Sequence, residues 1–263
     1  MHAESDQVIH PTAIIDPKAE LGERVEIGAY SVIGPDVRIG EGTRIGSHVV
    51  IQGPTTIGRN NHIYHFCSLG EAPQDKKYKG EPTTLEIGDD NTIREYCTFN
   101  RGTVQDAGAT RMGNNNWVMA YVHVAHDCQI GNNTIFANNS SLAGHVLVDD
   151  FAILGGFTLV HQFCKIGAHV ITAVGSVVFK DVPPYVTASG YDAQPHGLNS
   201  EGLKRRGFSP ETMLQLKRAY KTLYKSSLTL EEAKQKLAEQ AVICPEVGVL
   251  LAFLNTTTRG IIR

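Results

Sequence analysis

The sequence predicts a mainly β protein: a left-handed parallel β-helix of hexapeptide repeats, followed by a small C-terminal α-helical domain. Three regularities predict this fold. An aliphatic residue returns at every sixth position from Ile9 to Leu69. The position directly after each aliphatic residue is often Gly, and the fourth position after each aliphatic residue is small or β-branched. The rhythm resumes from Ile87 to Phe99 and then, shifted by one residue, from Met112 to Val178, with Thr172 as its one polar exception.

Each hexad supplies one short strand and one corner of a three-sided prism. The aliphatic side chain points into the prism, the small residue fits the tight interior beside the turn, and Gly or Asn gives the corner its backbone freedom. Three hexads form one coil, and coils stack at about 4.8 Å like neighbouring strands. A meandering β-sandwich would instead show turns every roughly 8–12 residues and a two-residue alternation.

Composition limits the function classes. Hydrophobic residues make up 41% of the 263 residues and charged residues 19%, which is typical of a globular chain. The net charge of −3 does not call for nucleic acid as a partner. Residues 1–7 are short and polar and no long apolar run follows, so we expect neither secretion nor a membrane span, and a cytoplasmic protein.

The positions of the cysteines predict that most of them lie in the core. None of the five forms a CxxC pair, which favours free thiols in a reducing compartment. Four of them occupy the small inward position of the repeat: Cys67, Cys97, Cys128 and Cys164. We therefore expect buried thiols and no catalytic cysteine.

The repeat also predicts where polar side chains collect. The rhythm breaks near 71–86 and 105–111, and both breaks follow hexads on the second side of the prism. His126, His145 and His161 fall on that same side, at outward positions of successive coils, and Asp127 adjoins the first of them. A carboxylate bonded to one imidazole nitrogen fixes the tautomer, so that the other nitrogen can accept a proton.

Other interpretations of these histidines remain open at this point. Surface histidine is the commonest single state, and three imidazoles could also hold a metal. No set of three His with closed zinc spacing falls within one coil, so no metal is expected, although a trimer could assemble one between subunits. The Lys-rich stretch 74–82 and the run Lys204-Arg205-Arg206 could be solvated surface or binding surface.

The periodicity changes after Pro183-Pro184, and helix signals follow. One helix is predicted to begin after the N-cap Ser209, with Pro210 at its first position and Glu211 next. A capping box formed by Thr229 and Glu232 predicts another helix, and Pro245 predicts the start of a last helix. The predicted domains are a β-helix over 1–189 and a helical domain over 190–263.

Several runs of residues are more specific than the hexapeptide pattern. They are Ala125-His126-Asp127-Cys128, Leu142-Ala143-Gly144-His145 and Val160-His161-Gln162-Phe163-Cys164, with 9–13, 74–83, 100–104, 181–185, 201–208 and 258–263. These runs resemble the UDP-N-acetylglucosamine O-acyltransferase family, whose members catalyse the first step of lipid A biosynthesis. The resemblance covers nearly the whole chain.

The resemblance implies roles for particular residues. His126 would be the general base, Asp127 would orient it, and the backbone N–H of Gly144 would stabilise an oxyanion. The sugar and acyl region would be lined by Asp75, Lys77, His123 and His145. The nucleotide would contact His161, Gln162, Asn199, Glu201, Arg205 and Arg206.

The resemblance also implies the reaction and its partners. A homotrimer in the cytoplasm would transfer a 3-hydroxyacyl chain from acyl carrier protein to the 3-hydroxyl of the glucosamine ring in UDP-N-acetylglucosamine. A sugar hydroxyl needs a base within hydrogen-bond reach, whereas a thioester is already activated, so no cofactor is expected. The acidic carrier protein would dock on Lys and Arg side chains.

Three alternatives compete with this hypothesis. The sister N-acyltransferase of the same pathway acts on an amine, but it carries an added N-terminal domain for which the repeat starting at Ile9 leaves no room. A trimeric zinc hydrase of the carbonic anhydrase type would bind stoichiometric zinc. An inert β-helix scaffold would bind no UDP-sugar.

Acyl chain length is the last expectation. Long-chain members of the family carry Gly thirteen residues after the His of the His-Gln-Phe-Cys run, where this chain has Val174. A Val side chain fills space that Gly leaves open, and each excluded methylene forfeits about 0.8 kcal/mol of burial. We therefore expect a shorter acyl donor.

Overall fold

The computed structural model describes residues 7–263 and shows a left-handed parallel β-helix whose C-terminal end carries four helices. The polar segment expected before Gln7 lies outside the described residues. Three parallel sheets form the sides of a prism, here called sides A, B and C.

Side A consists of β1 (Val8–Ile9), β4 (Glu26–Ile27), β7 (Arg44–Ile45), β10 (His62–Ile63), β13 (Thr92–Ile93), β16 (Trp117–Val118), β19 (Ile135–Phe136), β22 (Ile153–Leu154), β25 (Ile171–Thr172), β27 (Val186–Ser189) and β28 (Gln194–Leu198). Side B consists of β2 (Ile14–Ile15), β5 (Val32–Ile33), β8 (Val50–Ile51), β11 (Ser68–Glu71), β14 (Thr98–Asn100), β17 (His123–Val124), β20 (Ser141–Leu142), β23 (Leu159–Val160) and β26 (Val177–Val178). Side C consists of β3 (Glu20–Leu21), β6 (Val37–Ile39), β9 (Thr55–Ile57), β12 (Thr84–Ile87), β15 (Ala109–Met112), β18 (Gln129–Ile130), β21 (Leu147–Val148) and β24 (Lys165–Ile166).

The register confirms the hexapeptide frame. Ile9 pairs with Ile27 and Val124 pairs with Leu142, so a regular coil advances by eighteen residues. The predicted inward residues from Ile15 to Val178 form one continuous core, and the polar exception Thr172 is buried with them, whereas Ile9 in the first coil is exposed. Four cysteines lie in this core, as expected, and burial raises the pKa of the Cys128 thiol to about 12.

The corners between sides depend on left-handed backbone. The third residue after the inward aliphatic has a positive φ at most corners, and it is Asn, Asp or an aromatic residue more often than Gly. Along the corner between sides A and B, neighbouring rings stack with centroids 4.8–5.2 Å apart: Tyr30 on His48, His48 on Phe66, Phe66 on Tyr96 and Tyr96 on Tyr121. These contacts favour the strained corner conformation.

Two segments leave the prism from the corner between sides B and C, as the sequence predicted. The first loop spans 72–83, between β11 and β12, and the second loop spans 101–108, between β14 and β15. The predicted start of the second break, residue 105, was too late. The chain already leaves side B after Asn100, which is buried and donates to the carbonyl oxygen of Ala72 at 2.8 Å.

The helices are α1 (Ser200–Arg205), α2 (Pro210–Tyr224), α3 (Leu230–Ala241) and α4 (Pro245–Thr256). Ser209 caps α2 and the predicted capping box of Thr229 with Glu232 opens α3. The antiparallel hairpin β27–β28 joins these helices to side A, and we propose the domain boundary within it. The chain end returns to the prism, where Ile262 N–H donates to the Asp181 carbonyl at 3.0 Å. Within residues 7–263 no helix is long and apolar enough to span a bilayer.

Candidate active site

Asp127 lies at the corner between sides B and C, three residues after the end of β17. Its side chain is fully buried, and its φ of 61° belongs to the left-handed corner conformation. Burial opposes its ionisation, but hydrogen bonds from His126 and Thr103 outweigh burial and hold the pKa of the carboxyl below its usual value. Asp127 is therefore a buried carboxylate at neutral pH.

His126 makes the hydrogen bond expected of an oriented base. Its Nδ1 lies 2.8 Å from Oδ2 of Asp127, while Nε2 has no hydrogen-bond partner among the residues that the structure describes. The side chain is 16% exposed and borders an open cavity. A carboxylate at Nδ1 keeps the proton there, so Nε2 presents its lone pair to a bound molecule.

Gly144 lies directly against this imidazole, one coil further on. A Cβ at this position would lie 2.6 Å from Cε1 and 2.8 Å from Nε2 of His126, so only Gly leaves the ring in place. No residue between 7 and 263 accepts a hydrogen bond from the Gly144 N–H. A free amide beside the base can meet the oxyanion formed by attack on a carbonyl.

His145 forms a second histidine–carboxylate pair in the same site. Its Nδ1 lies 2.8 Å from Oδ2 of Asp106, on the second loop. The ring stands edge-on to His126 with 5.0 Å between centroids and stacks on Phe163 at 4.4 Å. The sequence spacing of one coil plus one residue predicted this closeness of His126 and His145.

The first loop supplies the opposite wall. A cavity of about 750 Å³ is lined by Gln74, Asp75, Lys76, Lys77, Gln105, Asp106, His126, His145, Gln162 and Phe163. The loop is braced, because Tyr78 Oη donates to the Glu81 carbonyl at 2.7 Å and Arg101 donates to Tyr78 Oη at 3.3 Å. Asp75 and Lys77 thus line the same cavity as the two imidazoles, and their contact with the sugar and acyl groups, which the family resemblance implies, stays a prediction.

Two other histidines lie at the edge of the site. His123, on side B, bonds Thr98 Oγ1 through Nδ1 at 2.8 Å, and burial lowers the pKa of its imidazole, so the ring is neutral at neutral pH. His161 does not continue the line of imidazoles. Its Nδ1 donates to the Gln162 carbonyl at 3.2 Å, and its ring tilts against Phe179.

The residues predicted to contact the nucleotide fall into two places. Gln162 lines the cavity, but Asn199 and Arg206 lie at the corner between sides C and A. Asn199 caps α1 and donates to the His169 carbonyl at 3.0 Å, while Arg206 stacks on Phe151.

The other two charged residues of that set lie on α1. Glu201 pairs with Lys204 at 2.9 Å. Arg205 is exposed and has no ion pair within the described part of the chain. Val174 lies at the third corner, between sides A and B. One chain therefore does not bring all the predicted site residues together.

His126, Asp127 and His145 form the one group in residues 7–263 whose side chains are close enough to share a metal ion, with their ligand atoms within 4.8 Å of one another. Both oxygens of Asp127 already accept hydrogen bonds, from Thr103 and from His126. An ion would have to compete with these donors, so the donor arrangement suits an oriented imidazole better than a metal centre.

Thr103, Asp106 and Phe163 also belong to the site and were not predicted from the sequence. Thr103 donates to Asp127 through both its N–H and its hydroxyl, and Asp106 bonds His145. The sequence feature that could have indicated Thr103 and Asp106 is the second break in the repeat, because the loop at this break leaves the prism from the same corner as the histidines.

The fold and the paired imidazole and carboxylate define a hexapeptide-repeat transferase. The family model described as bacterial transferase hexapeptide (six repeats) matches residues 36–71 and 109–144. The model described as Udp N-acetylglucosamine O-acyltransferase, domain 2, matches residues 181–262.

Curated relatives match over almost their whole length. A Thiobacillus denitrificans protein named acyl-(acyl-carrier-protein)–UDP-N-acetylglucosamine O-acyltransferase is 66% identical over 97% of this chain and 99% of the relative. One of the same name from Herminiimonas arsenicoxydans is 60% identical with the same coverage. A solved structure, titled LpxA from Acinetobacter baumannii, has a TM-score of 0.96 and 49% identity, covering 97% of this chain and 100% of the other. The chain belongs to the UDP-N-acetylglucosamine O-acyltransferase family, which decides against the hydrase and the inert scaffold.

Proposed function

We propose that this protein transfers a 3-hydroxyacyl chain from acyl carrier protein to the 3-hydroxyl of the glucosamine ring of UDP-N-acetylglucosamine, the first step of lipid A biosynthesis. The names of the relatives support both substrates. The single observation that carries the mechanism is the 2.8 Å contact between His126 Nδ1 and Asp127, which leaves Nε2 toward the cavity.

The proposed chemistry is a direct transfer. His126 Nε2 takes the proton of the sugar hydroxyl as its oxygen attacks the thioester carbonyl, and the Gly144 N–H stabilises the resulting oxyanion. The imidazolium, held by the buried carboxylate, then returns the proton to the departing thiolate. An acyl-enzyme on cysteine is disfavoured, because Cys128 is buried and its thiol has a raised pKa.

The partners follow from the same proposal. Exposed Arg205 is proposed to bind the nucleotide phosphates, since a guanidinium pairs with phosphate by charge-assisted hydrogen bonds. The exposed Lys and Arg side chains suit an acidic carrier protein. A reducing, cytoplasmic compartment suits five free thiols.

The decisive experiment replaces the base. His126→Ala is expected to lower kcat for UDP-N-acetylglucosamine by about 10²–10⁴-fold, because general-base catalysis contributes roughly that factor. The variant should fold normally, since the imidazole lies outside the prism core. His10→Ala, an exposed histidine far along the prism, is the matched control and should retain full turnover. Near-normal turnover of His126→Ala would reject His126 as the base.

A further inference from the structure

We infer that Thr103 and Asp106, both on the second loop, are positioning residues that orient the two imidazoles of the site. The inference rests on the proposed function, since it names what holds the base in place. Neither side chain needs to touch the substrate to do this. Thr103 acts through Asp127, and Asp106 acts through His145.

Thr103 holds the buried carboxylate with two hydrogen bonds from a single residue. Its N–H lies 2.9 Å from Oδ1 of Asp127 and its hydroxyl 2.7 Å from Oδ2. Thr103 is itself buried, so both bonds are protected from water. The two bonds fix the plane of the carboxylate, and Oδ2 is thereby aimed at Nδ1 of His126, 2.8 Å away.

The segment that carries Thr103 is itself fixed. Gly102 N–H donates to the Thr84 carbonyl at 3.1 Å, and Thr84 N–H donates to the Gly108 carbonyl at 2.9 Å. Gly108 N–H closes the loop on the Thr103 carbonyl at 3.1 Å. A Cβ at Gly102 would lie 2.3 Å from the backbone nitrogen of Ala109, so the close approach of the loop to the prism requires Gly. Thr103 therefore has little freedom to move away from Asp127.

Asp106 repeats the arrangement one coil further on. Its Oδ2 accepts from Nδ1 of His145 at 2.8 Å, and the ring is sandwiched by its stacking on Phe163 and its edge contact with His126. The Nε2 atom of His145 is then directed toward Asp127, 3.8 Å from Oδ2. Asp106 is about half exposed, so it contributes little to the core and its effect is on the ring.

The first experiment separates positioning from folding at Thr103. Thr103→Val keeps the shape and the backbone N–H but removes the hydroxyl, and it should lower kcat by about tenfold, the factor expected when one charge-assisted hydrogen bond is lost. The KM for UDP-N-acetylglucosamine should stay unchanged, and Thr103→Ser should restore kcat. Thr43→Val is the matched control. Thr43 is also buried, with one hydrogen bond donated to the Gly58 carbonyl and one accepted from Asn61 N–H, in a coil remote from the site.

The second experiment concerns Asp106. Asp106→Ala should lower kcat/KM, whereas Asp106→Asn should recover part of it, because the amide oxygen can still accept from Nδ1 of His145. Glu239→Ala, an exposed acid on α3, is the control for loss of one negative charge. Equal activity of Asp106→Ala and the wild type would remove Asp106 from the proposal.

A measurement that does not depend on turnover tests the positioning of His126 even if the protein does not catalyse the proposed acyl transfer. The proton on His126 Nδ1, bonded to a buried carboxylate, should give a proton NMR resonance well downfield of the amides in the wild type. Thr103→Val should weaken or lose this resonance, and Thr43→Val should keep it. An unchanged resonance together with wild-type kcat in Thr103→Val would overturn the inference. So would a loss of activity no greater than that of Thr43→Val, since Thr103 would then be only structural.

Discussion

Val174, which the sequence predicts to limit the length of the acyl chain, lies at the corner between sides A and B. Its side chain is 77% exposed in the single chain, an unusual state for Val. Along the prism axis it stands between two and three coils beyond His126. An exposed apolar side chain at this distance is suited to meet the far end of an acyl chain lying in a groove between two prisms.

We predict that Val174→Gly shifts donor preference toward longer acyl chains. Removing the side chain opens space, and each methylene then buried gains about 0.8 kcal/mol, close to a fourfold preference. The measurement compares kcat/KM of both proteins across carrier-protein donors of increasing length. A wild type that already prefers the longest donors, or a variant with unchanged preference, would show that Val174 does not set the length.

Residues adjacent in sequence were predictable at the site, and residues joined through a loop were not. His126 and Asp127 are neighbours, and His145 follows His126 by one coil plus one residue, so the repeat alone placed all three together. Thr103 reaches Asp127 only because the second loop has a particular length and closes on Thr84. Because that closure depends on tertiary hydrogen bonds, the periodicity of the sequence could not predict it.

At the scale of the element, a buried column of asparagines links successive coils. Asn91 Nδ2 donates to Asn61 Oδ1 at 3.0 Å, and Asn116 Nδ2 donates to Asn91 Oδ1 at 2.9 Å. Each amide also donates to a backbone carbonyl of the next coil, such as Gly113 for Asn91. All three residues are buried, so the column satisfies polar backbone groups that the corner would otherwise leave unpaired.

Asn91→Ala should lower the free energy of unfolding by about 2–4 kcal/mol, because it leaves buried polar groups of Asn61, Asn116 and Gly113 without partners. Urea denaturation at fixed protein concentration measures the change. Thr56→Ala, on the outer face of β9, serves as the control and should be close to neutral. A loss at Asn91 as small as that of the control would show that water replaces the missing bonds.

Element boundaries were predictable where the repeat is regular. The strands follow the predicted frame, while the first loop is shorter than expected, because β12 begins at Thr84, three residues before the aliphatic Ile87. Long-range pairing with β9 and β15 extends this strand. Such pairing has no signal in the local sequence.

At the scale of the whole molecule, the predicted site residues occupy three different corners of one prism. His126 and His145 lie between sides B and C, Asn199 and Arg206 between C and A, and Val174 between A and B. A substrate on one prism cannot reach all three corners, whereas neighbouring prisms in a three-fold assembly can bring different corners to one groove. We propose a homotrimer with sites shared between subunits.

Sedimentation equilibrium should therefore give three times the chain mass of 28.6 kDa at concentrations where the enzyme is active. Mixing His126→Ala chains with Arg205→Ala chains provides a second measurement. If the two residues belong to different subunits of one site, mixed trimers should regain part of the activity that each variant lacks. A stable, fully active monomer would contradict the shared site.

The two loops also show how a repetitive scaffold acquires chemistry. The inward residues keep their pairing across the loops: Leu69 pairs with Phe99 and Phe99 pairs with Val124, although thirty and twenty-five residues separate these partners where a regular coil has eighteen. The register shifts only between Leu69 and Glu71, where the first loop begins. The solenoid thus tolerates insertions at a corner with only a local irregularity in strand pairing beside them. These loops can be lengthened, shortened or exchanged during evolution independently of the coils. New substrate specificities can therefore arise by changes in the loops alone, because the stability of the fold comes from the repeat.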